Sequence, residues 1–176
     1  MVAYVAAMEE IGAADQSVAA AWNAHITIAS LPLLAFGTEE QKQRWLTASC
    51  RGEQTMAIAI SEPDAGSAAT DLRTKARRDG DHWVINGAKR WISNGGHADS
   101  YLVYCRMSDT PGAKGIGAIV VPADTPGFST GAQEKLMGFL APKDRVRAQE
   151  QAEVRKAGRR ARTEMAAEAG GGAVAR

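Results

Sequence analysis

Two short stretches carry the side chains from which chemistry could be built. The first, Ile58-Ala59-Ile60-Ser61-Glu62-Pro63-Asp64-Ala65-Gly66-Ser67, is an apolar run that breaks into a polar turn, and the second is Trp91-Ile92-Ser93. Pro63 withholds a backbone donor and so ends the run. Gly66 is able to take a positive φ and let a ligand approach the main chain. A loop of this kind offers amide N–H groups and hydroxyls to an anion, although the same composition also describes an ordinary strand-ending turn. Trp91 is equally suited to a core or to a flat platform for a ring.

General acid or base chemistry is harder to place. Glu62 is a carboxylate inside the first stretch, but Asp64, Asp71 and His97 have no sequence partner that would make an acid/base pair, and solvated or capping roles are expected for them. No catalytic residue is assigned. Cys50 and Cys105 form no CxxC pair and the histidines are not clustered, so no metal site is expected. Both cysteines are expected as small buried hydrophobes, and this usage fits a reducing, cytoplasmic setting.

The elements that must position these stretches follow from periodicity. Val2 to Ile11 has helical spacing with Gly12 as a stop. Gln16 to Phe36 repeats it through Val18, Trp22, Ile26, Ile28, Leu31 and Leu34, with Pro32 kinking or ending its regular part. Gly37 is expected as the left-handed residue that closes this helix, and Thr38-Glu39-Glu40-Gln41 reads as a capping box opening a third helix to about Ala48.

From Met56 the period becomes that of strands. Leu72, Thr74 and Ala76 alternate with Arg73, Lys75 and Arg77, Asp79-Gly80 turns the chain, and His82 to Ile85 returns. Asn86-Gly87 is read as a second hairpin turn leading into Ala88 to Ser93. Further strands are expected at Tyr101 to Arg106 and Ile116 to Pro122.

The fold class expected is α+β, with N-terminal α-helices followed by an antiparallel β domain. Its boundaries are residues 1–52 for the helical part, 53–139 for the β domain and 140–176 for an atypical tail. That tail is poor in large apolar residues and holds nine basic against five acidic residues between Lys143 and Arg176, so it is expected to be helical or disordered rather than a nucleic-acid surface.

A formal net charge of +1 gives no pointer to nucleic acid. No uncharged apolar run of about 20 residues stands out as a bilayer span, and no signal peptide is recognised at the N-terminus, which disfavours a membrane partner. No GxGxxG follows a strand and opens a helix, so a Rossmann-type dinucleotide fold is not expected.

The wording of the two stretches is more particular than their composition. SEPDAGSAATDLRTKA followed by DGDHWVINGAKRWISNGGHADSYLVYCR resembles the middle domain of the acyl-CoA dehydrogenase family, and the resemblance runs from about Val2 to about Gly138. It implies FAD as cofactor, an acyl-CoA thioester as substrate, and α,β-dehydrogenation with hydride transfer to the flavin. It implies cofactor contacts at Ile58, Ala59, Ile60, Ser61, Gly66, Ser67, Trp91, Ile92 and Ser93, with Ser67 also near the substrate. Main-chain groups at Ile60 and Ser61 would meet the polar edge of the isoalloxazine, Trp91 would pack on the ring and the Ser93 hydroxyl would sit by N5. The Glu62 carboxylate would be structural, with the catalytic base supplied by a later helical domain.

The resemblance also implies an electron-transfer flavoprotein or similar acceptor, and a homo-oligomer at full length. Trp22, His25 and Ile28 are candidates for a pocket floor. After Lys135-Leu136-Met137-Gly138-Phe139 the family pattern is not recognisable, which suggests a frame change or truncation near Leu140 and an isolated polypeptide that binds FAD weakly or not at all. Two other readings share these residues: a non-catalytic remnant or interaction module, and an acyl-CoA oxidase on the same scaffold.

Overall fold

The computed structural model describes residues 2–80 and 82–132, together with the backbone of 142–143 and 146–154. A helical layer comes first. Helix α1 spans Val2–Ala14, running past the expected stop at Gly12. Asp15 then caps helix α2, which starts at Gln16 and runs to Phe36, its carboxylate accepting from the N–H groups of Ser17 and Val18 at 2.8 and 3.0 Å.

Helix α2, Gln16–Phe36, is not regular. Its first and last parts are α-helical, but Ala24–Ser30 forms a π-helical stretch ahead of Pro32. Wider turns rotate the buried face, because i, i+5 neighbours now stack where i, i+4 neighbours would in an α-helix. The residues that point inward are Ala19, Ala24, Ala29 and Leu33, whereas Val18, Ile28, Leu31 and Leu34, expected to form the apolar face, are exposed. By length and composition this 21-residue helix is also long and apolar enough to cross a membrane. That departs from the expectation of no such run, since small alanines raise the average as surely as large side chains do.

The third helix, α3, covers residues 39–50 and begins as expected. Thr38 Oγ1 accepts from the Gln41 N–H while Gln41 Oε1 accepts from the Thr38 N–H. Gly37, however, is extended rather than left-handed. Its requirement for glycine is steric: a Cβ there would run into the main-chain carbonyl oxygen of Leu33, which cannot swing aside, and would lie 2.9 Å from Leu33 Cδ1 as well.

The sheet contains β1 (Met56–Ala59), β2 (Lys75–Asp79), β3 (His82–Lys89), β5 (Ser100–Arg106), β6 (Ile116–Pro122), β7 (Phe128–Thr130) and β9 (Val146–Val154), and the short β4 (Ile92–Ser93) pairs with β8 (Pro142–Lys143). It is mixed rather than purely antiparallel. Strand β1 lies parallel to β5, with Met56 opposite Ser100 and Ala59 opposite Val103, and β2 meets the far end of β5 in the same sense through Lys75 and Arg106. The cause is the long excursion after β1, which lets the chain return to β5 from the same end. Part of the tail, Val146–Val154, pairs with β3 and β7 as a strand instead of forming a helix; residues 155–176 lie outside the described residues.

Strand β1 joins two apolar clusters. Met56 packs with Ala29, Leu33 and Trp45 of the helical layer, with Ile58 beside them, whereas Ala57 and Ala59 belong to the sheet core with Ile85, Ile92, Tyr101 and Cys105. His25 Nδ1 accepts the Met56 N–H at 2.9 Å and fixes the height of α2 on the strand. Cys105 is buried as expected but Cys50, at the end of α3, is exposed.

Asn86-Gly87 is not a hairpin. Strand β3 runs straight through it, and an irregularity in its pairing with β9 falls between Ile85 and Gly87. Thr74 crosses so close to Gly87 that a Cβ would sit 2.7 Å from Thr74 Cα, a main-chain atom that has no rotamer to escape into. Gly87→Ala is therefore expected to lower stability by about 1–3 kcal/mol through overpacking, read as a lower denaturation midpoint, whereas Gly66→Ala, where a Cβ meets nothing within 4 Å, leaves the midpoint unchanged.

Candidate functional site

The two stretches singled out in the sequence meet. After β1 the chain passes Ile60 and Ser61 and closes a tight turn in which the Glu62 N–H donates to the Ala65 carbonyl at 2.9 Å and the Ala65 N–H returns to Glu62. Pro63 and Asp64 form its exposed tip. From the other side, the Arg90 N–H donates to the Ser61 carbonyl at 2.8 Å, which places the residue before Trp91 against the first stretch.

A buried ion pair holds this junction. Lys89 is 2% exposed and Glu62 5%, and Lys89 Nζ lies 2.7 Å from Glu62 Oε1. The same ammonium donates to the Ile60 carbonyl at 2.9 Å. Glu62 Oε1 also accepts the Thr74 N–H at 2.9 Å, and Oε2 the Arg73 N–H at 2.6 Å. One carboxylate thus binds the end of β1, the start of β2 and the end of β3.

Burial by itself would raise the Glu62 carboxyl, but the hydrogen bonds from Lys89 and from the Arg73–Thr74 segment outweigh it, and its pKa falls below the ordinary carboxylate value. Burial dominates at Lys89 and lowers its pKa, the attraction of Glu62 offsetting only part of that cost. An ion with every oxygen engaged and a fixed cation beside it is not free to take a proton from a substrate, so Glu62 is structural. Lys89 was not singled out by sequence reasoning. The available signal was a charged residue two places on from Gly87 and four from Ile85, on the inward side of β3.

Trp91 stands in the left-handed region with φ +55°, and so does Asn94 with φ +63°. For an aromatic residue this conformation costs on the order of 1–3 kcal/mol and has to be imposed by its surroundings. Ile92, fully buried in the sheet core, and the Asn94 side-chain amide, which donates to the Ala21 carbonyl of α2 at 3.1 Å, supply the anchors. Ahead of these anchors Trp91 is 55% exposed, with the Arg90 guanidinium 5.2 Å from its ring centroid. Ser93 is exposed as well.

The remaining predicted positions divide clearly. Ile58 faces the helices and Ala59 the sheet core, so both support the site from beneath. The Ile60 and Ser61 carbonyls are already accepting, from Lys89 and Arg90. Gly66 and Ser67 are exposed, but Gly66 has no positive φ, contrary to expectation. Of the pocket-floor candidates, Trp22 stacks on Tyr4 with centroids 5.3 Å apart, His25 serves β1 and Ile28 is exposed. Asp64 pairs with Arg73 at 3.4 Å in solvent, and Asp71 and His97 are exposed. Among the described residues no group of histidine, cysteine and carboxylate side chains is arranged to hold a metal ion.

Comparison with known proteins decides the family. Residues 1–53 match the acyl-CoA dehydrogenase N-terminal domain and residues 57–145 the acyl-CoA dehydrogenase middle domain. The chain belongs to the acyl-CoA dehydrogenase family. It is 38% identical over 139 residues to the mitochondrial short-chain specific acyl-CoA dehydrogenase of Mus musculus, covering 79% of this chain and 34% of that one.

Solved structures of this family superpose on it. Glutaryl-CoA dehydrogenase from Mycobacterium smegmatis gives a TM-score of 0.77 at 33% identity, over 85% of this chain and 38% of that one. An acyl-CoA dehydrogenase from Bacillus anthracis complexed with FAD gives 0.68 at 36% identity, over 75% and 23%. This member of the family spans about a third of the length of the curated relatives it matches.

Removing one partner of the Lys89–Glu62 pair leaves a buried, uncompensated charge. Lys89→Met is expected to cost about 3–5 kcal/mol, read from denaturant unfolding. Because the Glu62 pKa is lowered on folding, its contribution is present above the unfolded value near 4.5 and is lost as pH falls through the lower folded value. A Glu62→Gln variant is expected to be less stable at neutral pH and to show a flatter decline of stability below about pH 4.5.

Proposed function

We propose that this chain forms the middle-domain side of a flavin site in an enzyme that dehydrogenates an acyl-CoA thioester at its α,β carbons. The observation that carries the reading is the strained, exposed Trp91, held beside Ser61 by the Arg90–Ser61 hydrogen bond and the Lys89–Glu62 pair. A fold that holds an indole in an unfavourable conformation and leaves its ring in solvent provides a platform for a flat partner.

The donor set fits an isoalloxazine. With the Ile60 and Ser61 carbonyls occupied within the protein, the N–H and hydroxyl of Ser61, which have no partner among the described residues, are the donors at this edge, suited to the acceptor atoms of a flavin's pyrimidine ring. Ser93, exposed two residues beyond Trp91, adds a hydroxyl able to stabilise negative charge on the reduced ring. Gly66 and Ser67, exposed beyond the Glu62–Ala65 turn, would face the phosphate and ribityl part of FAD, with Ser67 near the acyl-CoA. FAD when bound supplies the hydride acceptor. Ile58, Ala59 and Ile92 hold the frame. The base is assigned to no residue of this chain, and an electron-transfer flavoprotein or a similar acceptor would reoxidise the flavin.

Titration of FAD with the purified chain, followed by flavin fluorescence and the visible absorbance band, tests the reading. The expected result is weak, saturable quenching that Trp91→Ala lowers by about tenfold, with the denaturation midpoint nearly unchanged, because the ring removed is exposed and alanine keeps the Cβ that strains a positive φ. Spectra that never move, or that move equally in the Trp91→Ala variant, would overturn it.

A further inference from the structure

Strand β2 is paired along one side only. Lys75 to Asp79 match Asn86 to His82 of β3 residue for residue, whereas β5 meets β2 through the single pair Lys75–Arg106 and then turns away, the Met107 N–H donating to the Gly115 carbonyl at 2.8 Å. Past Lys75 no described strand pairs with the outer edge of β2. The gap left by the diverging strands is a cleft of about 520 Å³ whose lining includes residues 75–78 and 106–109. Its main chain is open as well. The Arg106 N–H donates to the Thr74 carbonyl at 2.8 Å, and main-chain groups of a strand repeat their direction every second residue, so those of Ala76 and Arg78 are turned to the same side. Arg78 lies three residues past the last β2–β5 pair, and its N–H and carbonyl have no strand among the described residues to meet them.

An unpaired edge is a template for another strand, and charge decides which strand it accepts. The exposed side chains of Lys75 and Arg77, two residues apart, share one face of β2 and form no ion pair with the described residues. Arg106 adds a fixed positive charge beside them, its Nη2 donating to the Thr70 carbonyl at 2.6 Å and its Nη1 to the Thr110 carbonyl at 3.0 Å. Asp109 is the one acid in the lining. A second copy of β2 is a poor occupant, because two segments that each carry three cations and one acid, Lys-Ala-Arg-Arg-Asp, repel one another. A strand with carboxylates at alternate positions meets no such repulsion, and two of its acids would stand level with Lys75 and Arg77.

We propose that the outer edge of β2 is a docking site for an extended acidic segment of a partner protein, added to the sheet as a further strand with alternate carboxylates facing Lys75 and Arg77. The main-chain groups at Arg78 supply the hydrogen bonds of strand addition, and the cations select the partner. A nucleic acid would use the cations but leave the main-chain edge unpaired, so the open edge favours a polypeptide. The site uses none of the residues assigned to the flavin and does not rest on that reading.

Fluorescence anisotropy of a labelled peptide that alternates glutamate and valine, titrated with the purified chain, tests the proposal. Expected is saturable binding that added NaCl weakens and that falls about threefold in Lys75→Ala and in Arg77→Ala and about tenfold in the double variant, but is unchanged in Arg51→Ala, an exposed arginine near Glu53. All three positions are exposed, and an unchanged denaturation midpoint checks that each variant folds. Two further peptides, methylated on the main-chain nitrogens of the glutamates or of the valines, read out the added strand in the unaltered protein. Pairing along one edge uses every second N–H, so one methylated peptide keeps its affinity and the other loses it. Loss in both or in neither would overturn strand addition, as would equal binding of a peptide of the same composition with its glutamates in one block. Absence of saturation, or equal loss in Arg51→Ala, would overturn the site, and tighter binding of a single-stranded oligonucleotide than of the peptide would overturn the partner.

Discussion

The structure depends on one carboxylate that has been made unable to do acid/base chemistry. Burying Glu62 and Lys89 together is costly, and their mutual attraction in a low-dielectric setting does not guarantee a net gain. What makes the arrangement tenable is completeness: the carboxylate receives two main-chain N–H groups besides the ammonium, and the ammonium also donates to the Ile60 carbonyl. Together these bonds reach three stretches of chain, so the pair sets where the end of β1, the start of β2 and the end of β3 lie. Cys105, buried beside it, responds to the same dry surroundings, and burial pushes its thiol up to about 12. It stays a packing group.

That junction makes the strain at Trp91 affordable. A left-handed aromatic residue persists only where its neighbours overdetermine it. Here Arg90 is tied by its N–H to Ser61, Ile92 is locked in the core and Asn94 reaches α2. The helical layer is therefore part of the site even though it presents none of the proposed flavin contacts. Its own placement depends on His25 and on the small residues Ala24 and Ala29, which let α2 approach β1 closely.

The same logic separates glycines that the fold requires from those it does not. Gly87 is needed because another chain segment, at Thr74, occupies the space of a Cβ, and Gly37 because the last turn of its own helix does, whereas Gly66 has room to spare. Sequence reasoning had ranked them by turn propensity, which treats all three alike. Propensity describes local dihedral freedom and has no access to what crosses overhead.

Local chemistry was legible from the residues alone. The capping box at Thr38, the alternation through Leu72, Thr74 and Ala76, the strands at Tyr101 and Ile116 and the pairing of the Ser61 and Trp91 stretches as one unit all follow from interactions between near neighbours or from a motif read whole. Tertiary structure decided everything that required two distant segments to share space. It turned α2 through a π-helical stretch onto its alanine face, carried β3 straight through Asn86-Gly87, placed β1 parallel to β5 and matched Lys89 to Glu62. The reason is physical: periodicity reports which residues prefer to be buried, but only packing fixes which of several apolar faces is closed, and which buried charge finds its partner.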